Sequence, residues 1–410
     1  MYFCLFRNQN TFSLMKTNLT LLSQIINSLN RDSFNRIVKK HKSDKHSKGI
    51  NSWTHFVSML FCQMAKANSL REISYGLRSM EGNLNHLGIM QKVPCKSSLS
   101  YINANRNWEV FRDYYYELYN AFINKTNFRN KKFRIKKKIY LLDSTLISLC
   151  MEVYDWAHYR KSKGAIKLHT LLDYDGLLPT FIHMSDGKGS DMRMARKIPI
   201  PPNSVLVADR GYIDFSLLKK WDDDKINFVV RCKENVKFID YEEKELPEDK
   251  SLNILKDGKV LLENPETRKF FEKKLRMLAV YDEKNKTIVY LLTNNFNWTA
   301  QTISELYRQR WQIEIFFRDL KSLLKIKTFI GTSANAVLIQ IWTAMITMLI
   351  LKYMKKISEF DWSLSNLVAF IRMNLFVKIS LNEWLNHPFK RWEELEEELN
   401  PQLKLFSEKT

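Results

Sequence analysis

Two short apolar runs end on an aspartate: Ile139–Asp143 (IYLLD) and Val205–Asp209 (VLVAD). Runs of four or five apolar residues read as buried core strands. A carboxylate at the end of such a strand stands at the sheet rim, where α/β proteins bind ligands. The strand ending at Asp143 is expected to lead into a loop. Ala165–Leu172 and Leu178–Met184 predict a hairpin, joined through Asp173-Tyr174-Asp175-Gly176 with its Asp-Gly turn signal. A short helix at about 189–197, a helix around Phe215–Trp221 and a strand at Asn227–Arg231 follow. From 232 to 296 this plan is interrupted. Acidic loops at Tyr241–Lys250 alternate with strand-like pieces, Val260–Glu263, Lys274–Tyr281 and Thr287–Thr293, the last two joined by a turn at 283–286. The pattern then predicts one helix over 299–325. The apolar run Ala336–Leu351 holds Gln340 and two threonines. It is shorter than the about 20 residues a membrane span needs, so a buried helix packed on the sheet is expected. A helix at Leu364–Phe376 and an acidic tail at Glu393–Glu398 close the chain.

The first third is helical. Amphipathic helices are predicted over 20–40 and 51–66, separated by the basic loop Lys39–Lys48. Ser69-Leu70-Arg71-Glu72 is a capping box that opens a further helix. Ser97 or Ser98 is expected to cap another helix ending near Arg106. These short helices, the last one basic and serine-rich, resemble a helix-turn-helix. A small bundle with no groove contact fits the same pattern. If the region does contact DNA, Lys96, Ser98, Asn105 and Arg106 are the candidates. Arg129–Lys138 (RNKKFRIKKK) carries seven cations in ten residues. It reads as a solvated linker or as a strip that follows a phosphate backbone.

Charge narrows the partner. The chain has 65 Lys and Arg against 44 Asp and Glu, a formal net charge of +21, which points to a polyanion, most simply nucleic acid. The five cysteines, Cys4, Cys62, Cys95, Cys150 and Cys232, are odd in number and too scattered for a zinc pair; they read as reduced thiols. Arg7 interrupts the apolar start, so no secretory signal is expected, and Met15 is an alternative first residue.

The candidate chemistry lies in YRQRWQIEIFFRDLK. Tyr307, Arg310, Glu314 and Lys321 fall within a stripe about 60° wide on a helical wheel, with Arg318 close by. One carboxylate flanked by cations and a phenol suits a metal-bound phosphate. An ordinary solvated helix face looks much the same, because the apolar residues form their own arc. Asp143 and Asp209, read singly, are better explained as turn or cap residues. Together with Glu314 they make an Asp, Asp, Glu set.

Asp143 in LLDST, Asp209 in ADRGY and the Tyr/Arg/Glu/Lys spacing resemble the DDE transposases of bacterial insertion sequences, the IS-four family most closely, over about residues 30–390. The resemblance implies a ribonuclease-H-like α/β core with a β-rich insertion, preceded by an all-helical DNA-binding domain. It divides the chain into an N-terminal extension (1–30), a helical domain (31–128), the first part of the core (129–231), the insertion (232–296), the second part of the core (297–360) and a C-terminal helical segment (361–410). It implies two Mg²⁺ or Mn²⁺ ions, with Asp143 bridging both and Asp209 and Glu314 holding one each. Tyr307, Arg310, Lys321 and Arg210 would bind DNA phosphates, although Arg210 serves equally as a rim salt bridge. The partners implied are double-stranded DNA, as inverted-repeat ends and as target, and a second copy of the chain in the synapse. The setting implied is the bacterial cytoplasm at the nucleoid, with no membrane. Two alternatives stay open: a catalytically silent DNA-binding derivative, and a stand-alone nuclease on the same fold.

Overall fold

The computed structural model describes residues 17–389 except 48, 81, 90, 91, 127, 129–131, 150–157, 161, 162 and 233–235. Cys4, Met15, Cys150, the Glu393–Glu398 tail and the first part of the 129–138 basic stretch lie outside the described residues. Along the chain come α1 (Leu21–Asn27), α2 (Arg31–Lys40), α3 (Ser52–Ala65), α4 (Leu70–Arg78), α5 (Lys96–Asn105) and α6 (Glu109–Lys125). Then follow β1 (Ile139–Leu149), β2 (His158–Arg160), β3 (Lys163–Asp173), β4 (Leu178–Asp186), α7 (Asp191–Ala195), β5 (Val205–Ala208), α8 (Phe215–Asp223) and β6 (Asn227–Arg231). β7 (Phe238–Glu243), β8 (Ile254–Leu262), α9 (Pro265–Arg268), β9 (Leu275–Asp282) and β10 (Thr287–Thr293) lead to α10 (Ala300–Arg308) and α11 (Trp311–Leu323). The chain ends through α12 (Ala334–Ile357), α13 (Leu364–Asn374) and α14 (Leu381–Asn386). Two compact units result: a helical one, up to Asn127 and from Asp319 onward, and a sheet unit, Phe128–Arg318.

In the helical unit, side-chain oxygens of Asn30, Asn51 and Ser69 accept the N–H three residues on, at 3.0, 2.8 and 3.1 Å, and so start α2, α3 and α4. Glu72 reaches back past the N-cap and accepts from the Asn68 N–H at 2.9 Å, a variant of the expected capping box. The start of α5 differs from expectation. Its N-cap is Cys95, with no side-chain cap, and the Ser97 and Ser98 hydroxyls lie 3.1 Å from the Cys95 sulfur. The helix-turn-helix expectation also changes. Residues 79–95 separate α4 from α5, far more than the three or four residues of that motif, whereas α3 and α4 are joined by only Lys66–Ser69.

The apolar run forms α12, whose most apolar window is 83% buried. Its partners in this unit are α3, α5, α6 and α13. Gln340, its polar interruption, is fully buried and satisfied. Its amide donates to the Lys325 and Thr328 carbonyls at 2.6 and 3.0 Å, and its oxygen accepts from the Ile330 N–H at 3.0 Å. The two ends of the described chain are tied together. The Leu21 and Leu22 N–H groups donate to the Val377 and Leu375 carbonyls at 2.9 and 3.0 Å, and Gln24 exchanges bonds with Ile379 and Leu381.

In the sheet unit one ten-stranded sheet runs in the order β2-β3-β1-β5-β6-β10-β9-β8-β7, with β4 also paired to β3. β1, β3 and β4 are antiparallel, while β1, β5 and β6 run parallel. With α8 and α10 against β6, this is a ribonuclease-H-like core. Tyr140, Leu142, Leu206, Ala208, Leu217, Trp221, Phe228 and Val230 belong to its apolar core. The segment from 232 to 296 does not break the ladder. β10 pairs antiparallel with β6, and β9, β8 and β7 extend the same sheet. β7 occupies part of the stretch expected as an acidic loop. Its charges mark a sheet edge, where Glu242 meets Lys259 at 3.2 Å and also pairs with Lys274.

β1 also differs from expectation. It does not stop at Asp143 but runs on to Leu149 against β3, with Asp143 opposite Thr170 and Ser144 opposite His169. What ends at Asp143 is the parallel pairing: the last matched pair of β1 and β5 is Leu142 with Ala208. Asp143 and Asp209 therefore follow the same rung on neighbouring parallel strands.

Candidate active site

That rung places two carboxylates side by side where β5 ends, and α10 and α11 bring the remaining groups. The Tyr307 hydroxyl donates to Asp209 Oδ1 at 3.0 Å. The Arg310 guanidinium donates to Asp143 Oδ2 at 3.2 Å and to Glu314 Oε1 at 2.5 Å. Each of the three carboxylates thus touches a member of the Tyr/Arg/Glu/Lys pattern. Arg310 also lies 5.9 Å from the Tyr307 ring centre, in a cation–π arrangement.

The expected single helix over 299–325 is broken at Gln309 and Arg310. The Arg310 N–H bonds the Tyr307 carbonyl at 2.9 Å and the Gln312 N–H bonds Gln309 at 2.9 Å, an i→i−3 tightening of the ladder. A buried contact accompanies the break. Gln309 is 8% exposed, and its side-chain oxygen accepts from the Tyr174 hydroxyl at 3.1 Å. Tyr174, in the β3–β4 turn, is itself 3% exposed. No glycine or proline marks this turn in the sequence.

Electrostatics follow from burial. Asp143 is pushed up to about 6, first by desolvation and further by Asp209 and Glu314, against the Ser144 N–H and Arg310, which favour the charged form. Burial, then the Asp209 charge, raises the Tyr307 phenol well above its ordinary value, so it is a donor at neutral pH. Burial disfavours the charged Arg310, but Tyr307, Asp143 and Glu314 outweigh it and raise its pKa. Among the described residues no three acidic, histidine or cysteine side chains converge as a ready-made metal site. Arg310 stands between Asp143 and Glu314 as their counter-charge. The donor set fits a hard divalent cation: carboxylate oxygens, crowded and partly desolvated, with one already raised in pKa.

The other sequence candidates are placed as follows. Lys321 lies on α11 seven residues beyond Glu314, and burial, then Lys327, lowers its pKa. Arg210 is exposed and opens the 3₁₀ turn Arg210–Tyr212 directly after Asp209. In the helical unit Lys96 and Asn105 are exposed and Ser98 is half-buried. Arg106 is buried, and its guanidinium donates to the Ile50 carbonyl at 2.7 Å, so it holds the fold together and does not face solvent.

Two features escaped the sequence reading. One is a cleft of about 680 Å³ beside Tyr307 and Arg310, lined also by Arg231, Lys284, Arg308 and Trp311. Trp311 is 54% exposed, with the Lys284 ammonium 5.8 Å from its ring centre. The other is Asp191 with Ser144, Lys167, His169 and Tyr212, which meet from four separate segments. The only sequence signal for it was a Ser-Asp pair opening a short helix.

Residues 134–350, from the basic segment before β1 into α12, match the transposase DDE domain family, and the chain belongs to it. It is therefore a transposase, an enzyme that cleaves and transfers DNA, in a family that generally uses divalent metal ions. Residues 17–90 match a domain of unknown function, DUF4372. The chain is 27% identical to a probable transposase for insertion sequence element IS5377 of Geobacillus stearothermophilus, over 64% of this chain and 70% of that one. It is 32% identical to the putative transposase y4zB of Sinorhizobium fredii, over 53% and 61%, and 24% identical to a putative transposase for insertion sequence element IS4SA of Synechocystis, over 75% and 85%. Among solved structures it aligns with a piggyBac transposase synaptic complex with hairpin DNA at a TM-score of 0.38 and 12% identity, over 95% of this chain and 86% of that one. That likeness adds nothing to the family assignment.

Proposed function

We propose that Asp143, Asp209 and Glu314 are the catalytic, metal-binding carboxylates of an insertion-sequence transposase. It would cleave DNA at the element's ends and transfer the freed 3′-hydroxyl into target DNA. The observation that supports this reading is that each of the three carboxylates, from two parallel strands and one helix, is held by the Tyr307–Arg310 segment: Asp209 by Tyr307, Asp143 and Glu314 by Arg310. We place the chain in the IS-four family on its Tyr/Arg/Glu/Lys spacing, and we assign it two Mg²⁺ or Mn²⁺ ions, a homodimeric synapse and a place of action at the bacterial nucleoid.

Asp143, Asp209 and Glu314 would hold the ions through their carboxylate oxygens. When bound, the ions supply activation of the attacking oxygen and stabilisation of the leaving one. The protein's own groups do the positioning. Asp143 stands on β1, paired between β3 and β5, and its carboxylate is held by the Ser144 N–H and Arg310. Tyr307 orients Asp209 and has a phenol proton available for a phosphate oxygen. Arg310 neutralises Asp143 and Glu314, and its planar fork is suited to bidentate contact with a phosphate. Lys321 acts as a point charge further along α11, and Arg210 meets the backbone at the rim. The adjoining cleft carries Arg231, Lys284 and Arg308 against Asp282 and Glu283, so its cations outnumber its acids where a DNA strand would approach.

The test uses the full chain, DNA carrying the element's own ends, and Mg²⁺. Cleavage and joined products are expected, together with their loss in Asp143→Ala and Glu314→Ala while end binding persists. Cleavage that survives in both variants would remove this site assignment.

A further inference from the structure

Asp191 opens α7, outside the Asp, Asp, Glu set, yet it is the hub of a polar cluster beside it. Its Oδ1 accepts from the Ser144 hydroxyl at 2.7 Å, with the Tyr212 hydroxyl at a long 3.5 Å and His169 Nδ1 also at 3.5 Å. Its Oδ2 accepts from the Lys167 ammonium at 2.7 Å. Lys167 also donates to the Gly189 carbonyl at 3.2 Å, and His169 Nε2 meets the Ser185 hydroxyl at 3.1 Å. The loop before α7 is packed close: a Cβ on Gly189 would lie 2.3 Å from Ser185 Oγ.

What this carboxylate holds is specific. Ser144 is the residue after Asp143, and its N–H donates to Asp143 Oδ1 at 2.7 Å. Tyr212 is three residues after Asp209, and its N–H bonds the Asp209 carbonyl at 3.0 Å. Lys167 and His169 sit on β3 opposite Leu146 and Ser144. Side chains alternate faces along a strand, so Ser144 points away from the face that carries Asp143. Fixing Ser144 from behind therefore fixes the rotation of the strand about Asp143. The same carboxylate reaches the turn that follows Asp209. A single group thus spans both aspartate-bearing segments from the reverse side of the sheet.

We propose that Asp191 is a positioning residue that locks Asp143 and Asp209 in register for binding divalent cations. It acts through Ser144 and Tyr212 and does not touch the ions. The inference rests on the metal-site assignment above. Partners beyond the direct ligands commonly set ligand orientation, and their loss costs about 10- to 100-fold in metal affinity.

The experiment titrates Mn²⁺ by calorimetry into the full chain without DNA, and records the metal-free thermal midpoint of each variant. Ser144→Ala removes one spoke of the hub and Asp191→Asn weakens the hub itself. Both are expected to lower Mn²⁺ affinity about 10- to 100-fold, with Ser144→Ala leaving the midpoint close to that of the unmodified chain. Should Asp191→Asn fail to fold, Ser144→Ala decides alone. Asp143→Ala is the reference for a lost ligand. Affinity within twofold of the unmodified chain in the hub variants, with affinity lost in Asp143→Ala, overturns the positioning role and leaves the site assignment standing. Unchanged affinity in Asp143→Ala overturns both.

Discussion

The Tyr307 phenol reaches Asp209 at 3.0 Å across 98 residues of sequence, from a helix that ends one residue later to the position just past a strand. The bond ties the motif helix to the second aspartate independently of Glu314. A hydrogen bond to a charged group contributes about 1.5–3 kcal/mol. Tyr307→Phe should therefore lower the metal-free stability by about that amount, and, if the phenol also serves the reaction, slow DNA-end cleavage by about 10- to 100-fold. Single-turnover cleavage measures this, and a rate within twofold of the parent would show that the phenol does not serve the reaction.

Arg310 joins Asp143 and Glu314 by separate arms of its guanidinium, and those carboxylates are 20% and 33% exposed. Without it the two negative charges face each other. Arg310→Ala should lower metal-free stability by about 1–3 kcal/mol, and added Mg²⁺ should raise the thermal midpoint of the variant more than that of the parent, because the ion replaces the missing counter-charge. Arg310→Lys should recover only part of the loss, since a single ammonium lacks the fork. Equal Mg²⁺ stabilisation of parent and Arg310→Ala would contradict the shared position of guanidinium and cation.

His55 should add a pH dependence to the stability of the helical unit. Burial, with Arg106 adding to it and Asn103 opposing, holds its pKa down at about 3, and its Nε2 lies 2.6 Å from the Asn103 oxygen. A histidine depressed in the native state is protonated only on unfolding as pH falls below about 6.5. Its contribution is fully present above that pH and declines by about 1.4 kcal/mol per unit as pH falls toward 3. His55→Gln should flatten the fall in urea midpoint between pH 7 and pH 5. A slope identical to the parent's would exclude His55 as its source.

Asp143, Asp209, Tyr307, Arg310 and Glu314, which the fold brings into contact, were legible because each carries a local signature: an apolar run closed by an aspartate, or a charged stripe at helical spacing. The hairpin at Asp173–Gly176 and the strand at Asn227–Arg231 were legible for similar reasons. The continuation of β1 was not, because Ser144 and Thr145 look like the start of a loop and their strand partner lies on β3, far along the chain. The break at Gln309 was hidden because the side chain that meets it, Tyr174, comes from a distant turn. Ala336–Leu351 announced a buried helix packed on the sheet; it is buried, but α12 lies in the helical unit with α3, α5, α6 and α13 as its partners, which nothing local named. The Asp191 hub depends on four segments at once and has no pattern along the chain.

Translation order bears on the way α12 sits among the first helices. α3, α5 and α6 pack on a helix made more than two hundred residues later, and α1 is bound by residues 375–381. While the ribosome is still at work, the amino-terminal helices have no finished interior, and the sheet can close before them, against the usual first-made, first-folded sequence. A prematurely stopped polypeptide lacking α12 would thus present raw apolar surface to chaperones and proteases, and would not survive as a folded fragment able to compete for the element's ends.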